Sequence, residues 1–191
     1  MPLSFDYEQT RSMLESVGWP TGIEPLSEGP ADDGIRARTR TSRVRDYKDK
    51  FILRHLQEEA RRLNPGFGWF DDSIQDAWVI WSGQECGWEP AGYSIIARER
   101  WAISKNEKRA VLFPDSLSQI YVRTSQRRKG FARAMVKDHI LSRGHRPIWV
   151  ESPKWETRAI LAQLGYEETE ERYEVWQMME GLTKWVRKWD L

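Results

Sequence analysis

After residue 34 the pattern of apolar and polar positions changes from the period of a strand to the period of a helix. Residues 35–41 alternate, which places Arg36, Arg38 and Arg40 on one face of a predicted strand. From residue 42 the apolar positions recur at helical spacing until a Pro-Gly turn at 65–66, so a helix is predicted over 42–63. A strand followed by a long amphipathic helix therefore begins the folded part.

The same change of period recurs through the rest of the chain. Short apolar runs predict strands, and apolar stripes with a period near 3.6 predict helices. The predicted strands are 77–81, 91–97, 117–122, 147–150 and one or two within 166–180, and the predicted helices are 129–143 and 155–164. This order predicts an α/β fold of the α+β kind, in which helices cover a mixed sheet.

Turn residues and length set the expected domain organisation. Residues 1–34 hold one short helical pattern followed by many Gly, Pro, Ser and Asp residues, so they are predicted to be a tether. Residues 35–181 are predicted to be one domain, since 191 residues suit a single compact unit. Residues 182–191 are expected to be a polar and aromatic tail.

Composition excludes several classes of protein. The formal net charge of +1 gives no global attraction to nucleic acid or membranes, so such a partner would need a local patch. A single cysteine excludes an intramolecular disulfide framework and fits a reducing compartment. No apolar run approaches the roughly 20 residues of a membrane span. We expect a cytoplasmic protein, and the spacing of its three histidines indicates no metal site.

The most informative stretch joins the strand at 117–122 to the next helix. The strand stops at Val122 and the helix begins near Gly130, whose missing side chain lets a ligand approach the backbone. Arg127, Arg128 and Lys129 add positive charge beside the unpaired N–H groups of the first helical turn. These features predict a site for phosphate or pyrophosphate. A solvated basic helix start is the alternative that the residues alone leave open.

Three motifs in order resemble the GNAT superfamily of N-acetyltransferases. Arg127-x-x-Gly130-x-Ala132, five residues after a strand that ends in Val, is similar to motif A of that family. The strand that opens on Gly92 resembles the family's third strand, and the helix that ends in Leu-Gly165-Tyr resembles its late helix. The likeness covers roughly residues 75 to 180.

The resemblance implies a fold and a cofactor. The fold would be a GNAT-type mixed, mostly antiparallel central sheet, flanked by helices and splayed between the family's fourth and fifth strands, here 117–122 and 147–151. Acetyl-CoA would lie in the cleft between them, with its pantetheine arm paired to the backbone. The implied cofactor-binding residues are Ile120, Tyr121, Val122, Arg127, Arg128, Lys129, Gly130, Phe131 and Ala132.

The catalytic groups are less well indicated. Many family members have a Tyr acid four residues before the Gly of the late helix, and this chain has Leu161 there. Asp115, before the 117–122 strand, and Glu151 and Ser152, after the 147–150 strand, are the candidate catalytic residues near the expected cleft. Each carboxylate has a solvated loop position as its alternative reading.

Three functions remain open at this point. The favoured one is transfer of an acetyl group to a primary amine of a protein or small molecule, by direct attack in a ternary complex. A second is an acyltransferase for an amine carried by nucleic acid, an aminoacyl-tRNA or a modified base, bound through Arg36, Arg38 and Arg40. A third is a GNAT-like binding module without turnover. Dimers are frequent in the family, so a homodimer is also a candidate.

Overall fold

The structure is a computed structural model that describes residues 23–25, 39–84, 87–103, 109–144, 146–173 and 181–188. Within these residues the chain forms ten strands and three α-helices. The strands are β1 (Ile23–Pro25), β2 (Thr39–Arg43), β3 (Gln75–Gln84), β4 (Gly87–Ala97), β5 (Arg100–Ile103), β6 (Ala110–Phe113), β7 (Ser116–Val122), β8 (Ile148–Glu151), β9 (Tyr166–Tyr173) and β10 (Leu182–Arg187). The helices are α1 (Tyr47–Leu63), α2 (Phe131–Ser142) and α3 (Trp155–Gln163).

Eight of the strands form one sheet in the order β1-β2-β3-β4-β7-β8-β10-β9, and β5 and β6 form a separate hairpin. Among the described pairs only β7 and β8 run parallel. The predicted fold class, a mixed and mostly antiparallel sheet flanked by helices, is confirmed. No helix in the described ranges is long and apolar enough to cross a membrane.

The parallel pair is also where the sheet splits. β7 and β8 are paired only at Ser116 with Trp149 and at Leu117 with Val150. Just beyond these pairs, on the β4 side, Ser118 is an extra residue in β7, because Leu117 faces Ile96 while the residue after Ser118 faces Ile95. Such a bulge bends a strand and increases its twist. The predicted splay between these two strands is therefore confirmed.

The two faces of the sheet have separate cores. On one face α1 buries Ile52, Leu53 and Leu56 against Trp81 and Tyr93. On the other face α2 and α3 pack on β7 and β8, in a cluster that includes Leu117, Val136, Ile140, Val150 and Leu161. Leu161 is fully buried there. It is a core residue, and an apolar side chain suits this position.

The start of α1 corrects the sequence prediction by five residues. The Asp46 carboxylate accepts hydrogen bonds from the backbone N–H groups of Lys48 (2.9 Å) and Asp49 (3.0 Å), so it caps the helix and Tyr47 is the first helical residue. Ser42 and Arg43 instead lie in β2 and pair with β3. The apolar spacing alone did not reveal this cap.

The C-terminal boundary is also corrected. Residues 182–187 were expected to lie in a tail, but they form β10, which is hydrogen-bonded between β8 and β9. Leu182 and Trp185 are buried, and this burial of large apolar surface draws the segment into the sheet. The hairpin of β5 and β6 was not predicted, because its strands have only four residues each. Of the predicted tether, the structure describes only β1 at the sheet edge.

Gly92 holds β4 unusually close to β7, and this gives a first prediction. A Cβ at this position would overlap the carbonyl oxygen of Tyr121 and lie 3.0 Å from Cα of Val122. Gly92→Ala should therefore lower the free energy of unfolding by about 1–3 kcal/mol, because the strands must move apart. Gly66→Ala, where the nearest atom is 3.5 Å away, should change it by less than about 1 kcal/mol. Urea unfolding measures both, and equal effects would contradict the close packing.

Candidate active site

The loop between β7 and α2 is built around two residues with left-handed backbone. After β7 a short 3-10 turn at Thr124–Gln126 leads to Arg128 (φ 63°) and Gly130 (φ 85°). Gly130 caps α2 without any side-chain hydrogen bond, and the first helical bond runs from the N–H of Ala134 to the Gly130 carbonyl (2.9 Å). The N–H groups of residues 131–133 therefore precede the helical ladder and remain available to an anion.

The side chains of the loop divide between solvent and core. Arg127, Arg128 and Lys129 are exposed. The Arg127 Nε donates to the Val122 carbonyl (3.3 Å), and the Lys129 ammonium donates to Gln126 Oε1 (3.0 Å). Phe131, in contrast, is buried in the cluster of Ile80, Ala91 and Met135. It anchors the helix start, so only its backbone can serve a ligand.

An unpaired strand edge lies beside this helix start. Ile120, Tyr121 and Val122 pair with β4 on one side. On the other side, within the described ranges, no strand pairs with β7 beyond Leu117. The open strand edge offers backbone partners for the amides of a ligand. The helix start beside it, which has three cations and no side-chain cap, offers a site for phosphate. The residues therefore fit the cofactor that the family resemblance implies.

Glu151 lies where β7 and β8 diverge. Its carboxylate accepts hydrogen bonds from Arg100 Nη2 (3.0 Å), Ser116 Oγ (2.8 Å) and Ser118 Oγ (2.6 Å), and its side chain is 12% exposed. An ionised carboxylate can accept about four hydrogen bonds. Described residues fill three of these positions, which leaves one acceptor position for a ligand or water.

Ser152 follows Glu151 in a strained conformation. Its φ is 41°, which is uncommon for a residue with a Cβ, and its N–H donates to the Gly181 carbonyl (2.9 Å). Strained residues of this kind cluster at functional sites. The structure thus brings two of the three candidate catalytic residues, Glu151 and Ser152, to the split in the sheet.

Asp115 is held elsewhere. Its carboxylate accepts hydrogen bonds from Arg143 Nη1 (2.8 Å) and the Glu99 N–H (2.6 Å). Arg143 follows the last residue of α2, and a helix of 12 residues is about 18 Å long. Asp115 therefore lies at the end of α2 opposite Gly130. It ties the loops at that end together.

A buried ionic network, which the sequence analysis missed, supports the cofactor loop from the α1 side. The Arg123 side chain is 10% exposed and forms ion pairs with Glu59 (Nε to Oε2, 3.1 Å) and Glu89. Glu89 also accepts from Gln126 (3.2 Å), the residue that binds the Lys129 ammonium. The network therefore joins α1, β4 and the loop. Bonded residues within it lie up to 64 positions apart, so no local pattern predicts it.

Tyr121 belongs to the same network. Its hydroxyl donates to Glu59 Oε1 (2.8 Å). Burial and, next, this hydrogen bond to a carboxylate raise the pKa of Tyr121 above its ordinary value. The phenol is therefore neutral near pH 7, and its side chain positions the strand whose backbone faces the cleft.

The predicted nucleic-acid patch is described only in part. Arg36 and Arg38 lie outside the described residues. Arg40 is exposed on β2, with its guanidinium 5.3 Å from the ring centroid of Trp88. The described part of the chain also contains no group of three or more His, Cys, Asp or Glu residues arranged to hold a metal ion.

No protein-family model matches the sequence, and a search of curated proteins finds no match. The chain is similar to solved structures. One is a protein described as an acetyltransferase of the GNAT family from Desulfovibrio desulfuricans, at 14% identity over 78% of this chain and 97% of that chain, with a TM-score of 0.48.

Two further likenesses have the same extent. The ribosomal-protein-S18-alanine N-acetyltransferase of Escherichia coli is 16% identical over 78% of this chain and 93% of that chain (TM-score 0.44). A Bacillus subtilis acetyltransferase in complex with CoA is 14% identical over 78% and 99% (TM-score 0.43). Likenesses this distant concern the fold at most, so function must be argued from the residues of this chain.

His139, on the last turn of α2, makes the stability of the fold dependent on pH. Burial and then the nearby Arg143 lower the pKa of His139 to about 4, against the opposing effect of Asp115. The folded chain keeps the imidazole neutral, whereas the unfolded chain protonates it below a pH of about 6.5. Its contribution is therefore complete above that pH and is lost as the pH falls towards 4.

We predict that His139→Gln flattens the dependence of unfolding free energy on pH. Between pH 7 and pH 4 the parent should lose roughly 3 kcal/mol more than the variant. Urea unfolding at several pH values measures the difference. Parallel curves for the two proteins would show that the histidine is not held neutral.

Proposed function

We propose that this chain is an acetyl-CoA-dependent N-acetyltransferase of the GNAT type that acts on a primary amine. The observation that carries the proposal is the adjacency of two backbone regions. One is the start of α2 after Gly130, which has no side-chain cap, and the other is the edge of β7 at Ile120–Val122, with which no described strand pairs. Helix start and strand edge meet at the split between β7 and β8. A linear cofactor with a diphosphate and two amides suits that arrangement.

Each part of the loop has a separate role in holding the cofactor. The N–H groups of Phe131 and Ala132 bind the diphosphate, and Gly130 keeps the approach open. Arg127, Arg128 and Lys129 supply positive charge at the surface. The backbone of Ile120, Tyr121 and Val122 pairs with the pantetheine amides. Acetyl-CoA, when bound, would supply a thioester: the amine nitrogen bonds to the acetyl carbon, the carbon–sulfur bond breaks, and the sulfur leaves as a thiolate that takes a proton from solvent.

Glu151 is the group that we assign to the amine proton. Its carboxylate lies at the split, and the hydroxyls of Ser116 and Ser118 fix the orientation of its two oxygens. Glu151 acts as the general base and accepts the proton from the attacking nitrogen. Ser152 shapes the adjacent turn through its strained backbone. Asp115 has a supporting role at the other end of α2.

Cofactor binding is tested by thermal unfolding. At about 100 times its Kd, acetyl-CoA should raise the Tm of the wild type by roughly 5–10 °C. Gly130→Asp should abolish this shift, because it places a carboxylate at the diphosphate site. Gly144→Asp is the matched control, since Gly144 also has a positive φ (61°), follows the same helix and has open space around its Cβ position. It should keep the shift.

Three outcomes of this experiment separate the hypotheses. Absence of any shift with the wild type at millimolar acetyl-CoA would contradict the proposal. Loss of the shift in both glycine variants would mean that backbone strain, and not the position, is responsible. A normal shift without thiol release from any amine would favour a binding module without turnover.

The role of Glu151 is tested by turnover. Glu151→Gln should lower kcat about a hundredfold or more, because the amide cannot accept the proton. Its thermal shift with acetyl-CoA should persist, since Glu151 is not assigned to cofactor binding. Glu156→Gln, an exposed carboxylate on the first turn of α3, is the control and should keep wild-type kcat. Equal kcat values for Glu151→Gln and the wild type would remove Glu151 from the mechanism.

A further inference from the structure

A chain of contacts surrounds the split in the sheet on the α1 side. The loop after α1 places Phe67 and Gly68 there, and the Gly68 carbonyl accepts a hydrogen bond from Gln119 Nε2 (3.0 Å). Ser118, the residue before Gln119, donates a hydrogen bond from its hydroxyl to the Glu151 carboxylate across the split (2.6 Å). The loop after α1 is thereby linked through the β7 bulge to the end of β8.

The segment after β8 closes this chain of contacts. From Glu151 the backbone passes through the strained Ser152 to Lys154, whose ammonium lies 5.5 Å from the centroid of the Phe67 ring. A cation over an aromatic face is attracted to it. We call this closed circuit the cleft ring. Its members are Phe67, Gly68, Ser118, Gln119, Glu151 and Lys154.

Together with Arg100, which pairs with Glu151, the cleft ring carries an excess of one positive charge. The Glu151 carboxylate is paired with Arg100, which neutralises it. Lys154 is exposed, and among the described residues its ammonium has no acidic partner. The next charge that enters the cleft ring is therefore preferably negative. A second cation would meet the Lys154 ammonium without compensation.

We infer that the acceptor is a small amine that carries an anionic group beside its nitrogen, and that Lys154 binds this anion. The inference rests on the proposed acetyltransferase function. The amine lies towards Glu151, and the anion lies towards Lys154. Three chain positions separate these two residues, and the Ser152 turn with its bond to Gly181 fixes their relative placement. A carboxylate and a phosphate both satisfy the charge, so the chemistry shared by the two is what we assign.

The arrangement disfavours other acceptors. A polyamine would bring additional positive charge to the cleft ring. An amine that carries no anionic group would leave the Lys154 ammonium without a counter-charge. A long peptide or a nucleic acid need not carry an anion this close to its amine. The rate at which it is acetylated would therefore not depend on Lys154.

A panel of four amines tests the inference. We would measure kcat/KM by thiol release for glycine, O-phosphoethanolamine, glycinamide and spermidine. For the wild type, the two anionic amines should exceed glycinamide and spermidine by about tenfold or more, which is the ordinary effect of one charged hydrogen bond. Glycine and O-phosphoethanolamine distinguish a carboxylate from a phosphate preference.

Charge reversal at Lys154 gives the sharper result. Lys154→Glu should lower kcat/KM for the anionic amines by about tenfold or more, mainly through KM, and raise it for spermidine. Lys154→Ala should lower kcat/KM for the anionic amines only. Lys48→Glu, on the first turn of α1, is the control and should keep the wild-type order. Thermal shifts with acetyl-CoA should be equal in all four proteins.

The outcomes distinguish this inference from the function on which it rests. If the acetyl-CoA shift is present but Lys154→Glu keeps the wild-type order of amines, the inference is wrong and the acetyltransferase proposal stands. The same conclusion follows if only a peptide or a tRNA is acetylated. If acetyl-CoA produces no shift and no amine releases thiol, the proposed function itself is wrong.

Discussion

The short parallel pairing between β7 and β8 is the constraint on which the site depends. Two residue pairs hold these strands together, and the Ser118 bulge then turns β7 away. The rest of the sheet is antiparallel and continuous, so the opening is local and its walls are firmly supported. Gly92 lets β4 approach β7 closely. This close pairing supports β7 where no described strand pairs with its other side. The gap therefore has a wall, β7, that is paired with β4 on the side away from the gap.

Opening a sheet exposes polar backbone and brings charges into partly buried positions. Unpaired buried polar groups are costly, so such a gap persists only where most of them have partners. Glu151 accepts three hydrogen bonds at the split, and Arg123 joins two carboxylates beneath the cofactor loop. In the described part of the chain, the backbone at the edge of β7 beyond Leu117 has no strand partner, and the first N–H groups of α2 precede its helical hydrogen bonds. Those two regions are the ones that a ligand with amides and phosphates can satisfy.

The sequence predicted best the features that depend on neighbouring residues. The strand that ends at Val122, the helix that starts after Gly130 and the mixed sheet follow from local periodicity and turn chemistry, and the splay follows from the family resemblance. The start of α1 was missed because one capping carboxylate, Asp46, overrides the apolar spacing. β10 was read as a tail because its place between β8 and β9 is decided by long-range burial.

The same distinction applies to the site. Glu151 and Ser152 follow a predicted strand beside the expected cleft, and they do lie at the split. Asp115 precedes β7 by the same logic, yet Arg143 holds it at the far end of α2. The Glu59–Arg123–Glu89 network joins three distant segments, and only the folded chain brings them together. Local patterns thus identified the loop, and the tertiary structure identified what supports it.

Amide hydrogen exchange with and without CoA tests directly whether the strand edge and the helix start bind the cofactor, because it measures the backbone N–H groups themselves. We expect CoA to slow exchange in two stretches, residues 118–122 at the open edge of β7 and residues 131–133 at the start of α2. Exchange of the β3 amides should not change. Slower exchange at the helix start alone would mean that a phosphate binds without use of the strand edge. Unchanged exchange in both stretches at saturating CoA would contradict the account.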